Sequence, residues 1–358
     1  MDSRVLRFAL VLAVVAPPAS AGCELSLPEG VYGCDSADPG SCPAGWFCGT
    51  DERCYAPDGG GGEVVEEESC NGSDDDGDGV TDEGAWCRVT GLPSRDDFYA
   101  IHGTAADDAW IVGQSGLVLH WDGASWSRVT SGTTGSLRDV WAVSTSAAWS
   151  VGDGGRIVFW NGTSWTTQVS DTSGNLAAVW AASVTDAWAG GDSGRLVHFA
   201  AARWSTVPSG TGNRLRALWG TSPAVVFAAG DSQTVRGWNG TAWSDRSDGA
   251  PDEDLHALAG SGSSDVWVGG AHRAIARWDG TRWTDSEPSA ADDVHSMWSL
   301  GSGDAWSVGK SGTTSRWNGG SWTATPSGTS QDLHGVWGAS ASEVWAVGQA
   351  GTLLRWRE

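Results

Sequence analysis

The sequence has little positive charge and no long apolar run beyond its first residues. Its formal net charge is -23 at pH 7, and Lys310 is the single lysine beside twenty arginines. Electrostatic binding to nucleic acid or to an anionic membrane face depends on a basic patch, so this composition argues against both. The prominent apolar run, residues 8–16, is shorter than the roughly twenty residues that a transmembrane helix needs. No other segment is long and apolar enough to cross a membrane.

Tryptophan, by contrast, is abundant and recurs at a fixed interval. Apart from Trp46 and Trp86, all of the 25 tryptophans fall into four columns whose successive members lie 39 or 40 residues apart. The W-x-V-G motif gives the column Trp110, Trp149, Trp188, Phe227, Trp267, Trp306 and Trp345. A second column contains Trp121, Trp160, Phe199, Trp238, Trp278, Trp317 and Trp356, and a third contains Trp126, Trp165, Trp204, Trp243, Trp283 and Trp322. The fourth contains His102, Trp141, Trp180, Trp219, Ala259, Trp298 and Trp337, and together the columns indicate seven repeats.

Each repeat contains four short segments with the composition of β-strands. In the second repeat these are LRDVWAV, AAWSVG, GRIVFW and SWTTQV, which are bounded by turn residues. Asn-Gly or Asp-Gly joins the last two segments in WNGTSW and WDGTRW, and these dipeptides are strong hairpin signals. Four strands in about forty residues, repeated seven times, predict an all-β fold, a seven-bladed β-propeller.

The seventh repeat lacks a fourth strand, because its sequence stops at LLRWRE. Residues 86–90, WCRVT, match WSRVT at residues 126–130 of the first repeat. We therefore predict that the amino-terminal segment supplies the missing outer strand and that the propeller spans residues 86–358. An open ring would leave unpaired strand edges, which gives closure a physical cause.

The tryptophan columns are predicted to form the core of the propeller. Burial of one indole removes about 150–250 Å² from water, which contributes up to about 5 kcal/mol. The alternative is that the columns form a platform on which carbohydrate stacks. When blades pack radially, side chains at such positions are buried between them, and this favours the interpretation that the tryptophans form the core.

The first residues have the pattern of a secretion signal. Arg4 and Arg7 precede the apolar run and small residues follow it, so residues 1–22 are predicted to be removed on export. The sequence SAGC at the end of this segment resembles a bacterial lipobox. The resemblance implies that Cys23 is lipidated and anchors the protein to the cell envelope, at the outer membrane or cell surface. The alternative is an ordinary signal peptidase site with a leftover thiol.

The six other cysteines predict three disulfides in an exported chain. They are Cys34, Cys42, Cys48, Cys54, Cys70 and Cys87. The first four lie in residues 23–56, which look like the small C…C-P-x-G-x-x-C…C modules that follow lipoboxes in similar secreted proteins. Three pairings of these four are possible, and the sequence does not choose among them. Residues 57–69, which are acidic and Gly-rich, are predicted to be a flexible linker.

Residues 70–85 form a predicted metal-binding loop. Carboxylates at alternate positions let one turn direct several oxygens at a hard cation, and Ca²⁺ prefers oxygen ligands. The predicted ligands are Asp74, Asp76, Asp78, the carbonyl of Val80 and Asp82. An EF-hand has Glu where this sequence has Ala85, so we expect low-affinity Ca²⁺ binding outside the EF-hand class. Another metal, or a merely solvated acidic tether, is the alternative. The sequence implies no organic cofactor.

Two further resemblances concern the loop and the repeats. The segment CNGSDDDGDGVTDE resembles the metal-binding motif of MopE-type proteins, although Gly77 stands where the motif has a second cysteine. The resemblance implies metal binding in general and Cys87 as the substitute partner of Cys70. The repeat consensus L-x-x-V-W-G…D-V-W-A-V-G…W-D-G…W resembles repeats of predicted surface lipoproteins of myxobacteria. Its strand order looks like that of WD-type blades, with L-x-x-V-W-G innermost, and this implies a fold rather than a ligand.

A polar constellation emerges when the repeats are aligned. Asp-x-His recurs in the last three repeats and is followed in the first by Asp-Phe-Tyr. The candidate ligand ring is therefore Tyr99, Asp254, His256, Asp293, His295, Asp332 and His334. Residues two apart on a strand share a face, so each Asp is expected to orient its own His. At a channel mouth these histidines could bind a metal or an anionic ligand. The alternative is that duplication copied solvated side chains at the strand starts.

No catalytic motif rises above the repeat background. GDSG at residues 191–194 imitates a serine protease motif, but it aligns with GQSG, GDGG and GKSG of other repeats and is predicted to be a turn. The sequence thus favours a monomeric, non-catalytic binding, adhesion or scaffold protein, exported and lipid-anchored, with a surface protein or glycan as its partner. The alternatives are a propeller hydrolase or lyase that uses the His/Asp ring, and a purely architectural envelope protein.

Overall fold

The structure, a computed structural model, describes residues 84–286 and 292–357 and two short strands nearer the amino terminus. Those strands, Phe47–Cys48 and Cys54–Tyr55, pair antiparallel with Cys48 opposite Cys54. They belong to the first of two compact units, residues 1–66 and 67–358. In the part of the chain that the structure describes, no helix is long and apolar enough to span a membrane.

Seven sheets of four antiparallel strands form the blades of a β-propeller, as the repeat spacing predicts. The inner strands are eight residues long: Phe98–Ala105, Leu137–Ser144, Leu176–Ser183, Leu215–Ser222, Leu255–Gly262, Val294–Gly301 and Leu333–Ser340. The second strands are six residues long: Asp108–Gly113, Ala147–Gly152, Asp186–Gly191, Val225–Gly230, Asp265–Gly270, Asp304–Gly309 and Glu343–Gly348. Each inner strand carries the L-x-x-V-W-G segment or its equivalent, so its predicted position is correct.

The third and outer strands complete each blade. The third strands are Val118–Trp121, Arg156–Trp160, Leu196–Ala200, Thr234–Trp238, Ile275–Trp278, Thr314–Trp317 and Thr352–Arg357. Blades one to six have the outer strands Trp126–Arg128, Trp165–Gln168, Arg203–Val207, Trp243–Asp245, Trp283–Asp285 and Trp322–Ala324.

The outer strand of the seventh blade comes from the other end of the sequence. Ala85–Arg88 pairs antiparallel with the third strand Thr352–Arg357, and Trp86 lies opposite Trp356. The predicted closure of the ring is therefore confirmed. The strand begins at Ala85, one residue before the predicted start.

Indole rings pack neighbouring blades together. The second-strand Trp of one blade lies edge-on to the outer-strand Trp of the next, with ring centroids 5.2 Å apart for Trp149 and Trp204. The pair Trp306 and Trp86, which crosses the closure, has the same separation and a nearly perpendicular arrangement. Edge-to-face geometry is favourable for aromatic pairs. All six second-strand tryptophans are at most 1% exposed, so these residues are core.

Short turns connect the second and third strands at the end of the propeller where the inner strands begin. In six blades the turn is one 3-10 turn: Gln114–Gly116, Asp153–Gly155, Asp192–Gly194, Ala271–Arg273, Lys310–Gly312 and Gln349–Gly351. GDSG is such a turn, as expected. The middle residue has left-handed backbone dihedral angles, for example φ 56° at Ser311. Non-glycine residues adopt this conformation at a cost, so the turns need stabilising contacts.

Candidate functional site

The central channel opens at the end where the inner strands begin. The second residue of each inner strand reaches this opening, and it is a polar or aromatic residue in every blade except blade three, which has Ala177. The seven are Tyr99, Arg138, Ala177, Arg216, His256, His295 and His334, and with Arg214 they line a cavity of about 330 Å³. We call these seven residues the mouth ring.

The three histidines of the mouth ring lie side by side on contiguous blades. His295 stacks on His334 with ring centroids 5.5 Å apart, and the centroids of His256 and His295 are 6.0 Å apart. Tyr99 continues the row, because its ring centroid is 6.0 Å from that of His334. The structure therefore brings together the aromatic members of the ring that the sequence alignment identified.

Backbone contacts fix which ring nitrogen of two histidines donates a hydrogen bond. Nδ1 of His256 lies 3.2 Å from the carbonyl oxygen of Val294, and Nδ1 of His295 lies 3.1 Å from that of Leu333. A carbonyl oxygen only accepts, so Nδ1 donates and the neutral ring keeps a lone pair on Nε2. Burial lowers the pKa of His256 and of His334, and nearby positive groups lower it further. At neutral pH these two rings are therefore uncharged.

The aspartates of the Asp-x-His segments do not orient their own histidines, so that expectation is wrong. Oδ1 of Asp293 accepts the backbone N–H of His272 at 2.8 Å, and Oδ1 of Asp332 accepts that of Ser311 at 2.8 Å. Asp254 contacts the N–H of Ser232 in the same way. Each of these N–H groups belongs to the left-handed residue of the preceding blade's turn. These carboxylates therefore brace a strained turn rather than polarise an imidazole.

The two arginines of the mouth ring are paired with carboxylates. Both Nε and Nη2 of Arg138 donate to Asp153 at 2.9 Å, and the guanidinium lies 4.6 Å from the centroid of the Tyr99 ring. These bonds raise the pKa of Arg138. Arg216 forms an ion pair with Asp231. The positive charge of both groups is locally compensated.

Carboxylates outnumber fixed cations around the mouth. The residue before each inner strand, the second residue of that strand and the first turn residue contribute Asp97, Asp153, Asp192, Asp231, Asp254, Asp293 and Asp332 against Arg138, Arg214, Arg216 and Lys310. This balance does not favour the anionic ligand that the sequence suggested. Among the described residues, no group of three or more His, Cys, Asp or Glu side chains could hold a metal, so the metal alternative also lacks support.

Below the mouth ring the channel narrows to a cavity of about 140 Å³ that ends on aromatic side chains. His102 lies there, with its ring centroid 4.1 Å from that of Trp141 and 5.4 Å from that of Trp298. Its Nδ1 accepts the backbone N–H of Ala142 at 3.1 Å, and its Nε2 is buried without a partner. Burial lowers the pKa of His102 to about 3, against a small opposing effect of Asp108. The ring is therefore uncharged across the physiological range.

Asp139, on the inner strand of blade two, is the carboxylate of the channel wall. Its two oxygens accept the backbone N–H groups of Val140 and Val179, each at 2.8 Å. This residue is half-buried, and part of its surface faces the cavity. Burial raises the pKa of Asp139 to about 7, although the two hydrogen bonds act in the opposite direction. No positively charged side chain forms an ion pair with it among the described residues.

Sequence reasoning missed Asp139, although the repeat register contained a signal. The equivalent residues are Ala100, Ala178, Ala217, Ala257, Ser296 and Gly335, so Asp139 is the single charged member of a column of small residues. A charge at a position that six other blades keep small indicates a local role. The signal is visible only after alignment, because Arg138 and Asp139 look like ordinary surface residues in isolation.

The other predicted site residues lie mostly outside the described residues. These are Cys23, Cys34, Cys42, Cys70, Asp74, Asp76, Asp78, Val80 and Asp82. Lipidation and calcium binding therefore stay predictions. Cys87 lies on the outer strand of blade seven and is disulfide-bonded. The pairing of Cys87 with Cys70, and the disulfide module of residues 23–56, also stay predictions.

Comparison with solved structures finds several chains of similar fold. A structure of YCF48 bound to D1 peptide matches with a TM-score of 0.64 and 18% identity, covering 76% of this chain and 97% of that one. YCF48 from Cyanidioschyzon merolae matches with a TM-score of 0.62, 15% identity and coverage of 76% and 98%. The WD40 β-propeller domain of Doa1 matches with a TM-score of 0.63, 14% identity and coverage of 75% and 94%. No model of a protein family and no curated protein matches the chain.

Proposed function

We propose that this protein is an exported, lipid-anchored binding module that holds a segment of a partner protein at the mouth of its propeller channel. The observation that carries the proposal is the mouth ring: three adjacent histidines, a tyrosine and two arginines at one opening of a closed propeller. Rigid strands hold these side chains, which suits binding more than a mobile loop would. The residue type at the mouth-ring position differs between blades, whereas the tryptophans at the blade interfaces recur from blade to blade.

A protein partner is supported by the comparison with solved propellers. A similar fold, YCF48, has been solved with a bound peptide, and its sequence is too distant from this chain to carry over any contact. The mouth offers both donors and acceptors, because Arg216 has guanidinium donors while the uncharged ring of His256, whose Nδ1 donates to a backbone carbonyl, keeps an acceptor at Nε2. Extended peptide backbone presents both kinds of group. A glycan presents them too, and the test below distinguishes the two.

The hydrolase or lyase alternative finds no support in this ring. General acid–base catalysis by a His–Asp pair needs the two side chains within hydrogen-bond reach, and the carboxylates of Asp254, Asp293 and Asp332 bond to neighbouring turns instead. We therefore retain the non-catalytic function.

The test screens the protein from residue 24 onward against a displayed library of random peptides and against a glycan array. The test variant carries His256→Ala, His295→Ala and His334→Ala. The matched control carries three exposed substitutions at the opposite end of the propeller, Thr163→Ala, Thr241→Ala and Thr281→Ala. Selected peptides should bind the wild type and the control and lose at least tenfold in affinity for the test variant. Peptides that bind all three proteins equally, or a glycan as the sole ligand, would refute a protein segment at the mouth.

The anchor and the metal loop belong to the same proposal and have separate tests. Cys23→Ser should move the protein from the membrane fraction to the soluble fraction of the producing cells, because the lipid is the proposed anchor. Asp74→Ala with Asp76→Ala and Asp78→Ala should abolish Ca²⁺ binding in a calcium titration. A flat titration of the wild type would leave residues 70–85 as an acidic tether.

A further inference from the structure

Asp139 places one uncompensated acidic group in the wall of the channel. Its carboxylate has two backbone N–H partners and no cation, whereas Arg138 and Arg216 are each paired with an aspartate outside the channel. Burying a carboxylate without a counter-charge is costly. A column of small residues elsewhere in the ring shows that the fold does not need this charge. Among the described residues, the Asp139 carboxylate is therefore the negative half of an ion pair without its cation.

The cavity around Asp139 suits a compact organic cation. Trp141 and Trp298 form part of its lining, and aromatic faces attract ammonium groups that have lost water. At the entrance, Nδ1 of His256 donates to a backbone carbonyl, which leaves a lone pair on Nε2 of the uncharged ring. An ammonium group donates three hydrogen bonds and accepts none, so it complements acceptors at the entrance and a carboxylate below.

We infer that the channel binds a primary ammonium group of the partner, from a lysine side chain or a chain amino terminus, and that Asp139 forms the ion pair with it. The inference rests on the proposed function, because it specifies the chemistry of the segment held at the mouth. A cavity of about 140 Å³ admits the end of one side chain.

Other charged and titratable groups face the same cavity and must be considered with Asp139. They are Tyr99, His102, Arg138, Arg216, His256, His295 and His334. His102, His256 and His334 are uncharged at neutral pH, so they add no repulsion. The positive charges of Arg138 and Arg216 are offset by Asp153 and Asp231. Asp139 is the only acidic side chain among the described residues that line this cavity.

The experiment measures binding of n-butylammonium chloride, with 1-butanol as the neutral analogue, by isothermal titration calorimetry and tryptophan fluorescence. The variant is Asp139→Ala, because four other blades have Ala at this position and the fold accommodates it. The control is Asp107→Ala, which removes one exposed carboxylate at the opposite end. We expect wild type and Asp107→Ala to bind the amine and not the alcohol. Asp139→Ala should weaken binding roughly 10- to 100-fold, the range for a hydrogen bond to a charged group.

The pH dependence provides a second readout that a structural role of Asp139 would not give. The ammonium binds the ionised carboxylate, so affinity should be about tenfold lower at pH 6 than at pH 8 in the wild type. Asp139→Ala should show no such change. Circular dichroism at both pH values shows whether the variant is folded.

Peptides separate the two sources of the amine. The probes are the acetylated peptide Gly-Gly-Lys-Gly-Gly amide, its acetyl-lysine form, and Gly-Gly-Ala-Gly-Gly amide with a free amino terminus. Binding of the first alone assigns a lysine side chain, and binding of the third alone assigns an amino terminus. Equal binding of the amine to wild type and Asp139→Ala, or no binding to either, overturns the inference. If peptides from the display library still depend on the mouth histidines, the proposed function stands without it.

Discussion

The blade interfaces and the channel wall use the same repeat register in opposite ways. At the interfaces one contact recurs around the ring, with the second-strand Trp edge-on to the outer-strand Trp of the next blade at 5.2 Å for Trp149–Trp204 and Trp306–Trp86. In the channel wall, one register position holds Tyr, Arg, Ala or His depending on the blade. Repetition therefore identifies what the fold needs, and departure from repetition identifies where we propose that the ligand binds.

The largest effects are expected where the repeated contact is broken. Trp204→Ala removes a buried indole inside the ring, and Trp86→Ala removes its equivalent at the closure. Each should lower the free energy of unfolding by about 3–5 kcal/mol, the usual cost of a large-to-small core substitution. Chemical denaturation measures both. Val169→Ala, at an exposed residue, is the control and should change stability by less than about 0.5 kcal/mol.

The comparison of the two tryptophan variants tests the closure itself. Because the two indole pairs have the same separation of 5.2 Å and nearly perpendicular rings, we expect the two costs to agree within about 1 kcal/mol. A much smaller cost for Trp86→Ala would mean that the amino-terminal strand contributes little to the stability of the ring.

In the channel wall, removal of a charge should stabilise the fold. The pKa of Asp139 is about 7 in the folded protein and 3.8 in an unfolded chain, so the folded state holds the proton more tightly between these values. Stability therefore falls as the pH rises through this window, by at most about 4 kcal/mol. Asp139→Ala should raise the melting temperature at pH 8 and change it little at pH 4. An unchanged or lower melting temperature at pH 8 would contradict a strained carboxylate.

His102 should produce the opposite pH dependence at the floor of the same channel. Its pKa is about 3 when folded and 6.5 when unfolded, so the unfolded chain takes up the proton first and stability falls as the pH drops below 6.5. The loss should reach about 2 kcal/mol at pH 5. Replacing the imidazole by His102→Leu should abolish this slope, which denaturation at several pH values measures. Between pH 3.8 and 6.5 the two groups oppose each other, so the wild-type slope should be shallower than that of either variant.

The sequence allowed the ring, its seven blades and its closure to be predicted, because these follow from spacing and strand composition. The mouth histidines also came from register, since three Asp-x-His segments recur at 39-residue steps. The role of their aspartates could not be predicted. Along one strand, Asp332 and His334 share a face, but the carboxylate instead reaches the turn of the preceding blade at Ser311. A contact between blades depends on how the ring curves, and spacing within one repeat does not encode it.

The smallest predicted effect separates these bracing carboxylates from the ligand site. Asp332→Ala leaves the N–H of Ser311 without its acceptor, next to a residue at φ 56°, and should cost about 1 kcal/mol of stability. Adding Ser311→Gly should recover about half of that loss, because glycine adopts the left-handed conformation without strain. Binding of the mouth ligand should stay within twofold of the wild type in both variants, since the carboxylate points to the turn. A larger loss of binding with normal stability would mean that Asp332 belongs to the ligand ring. A residue that repeats from blade to blade would then also contact the ligand.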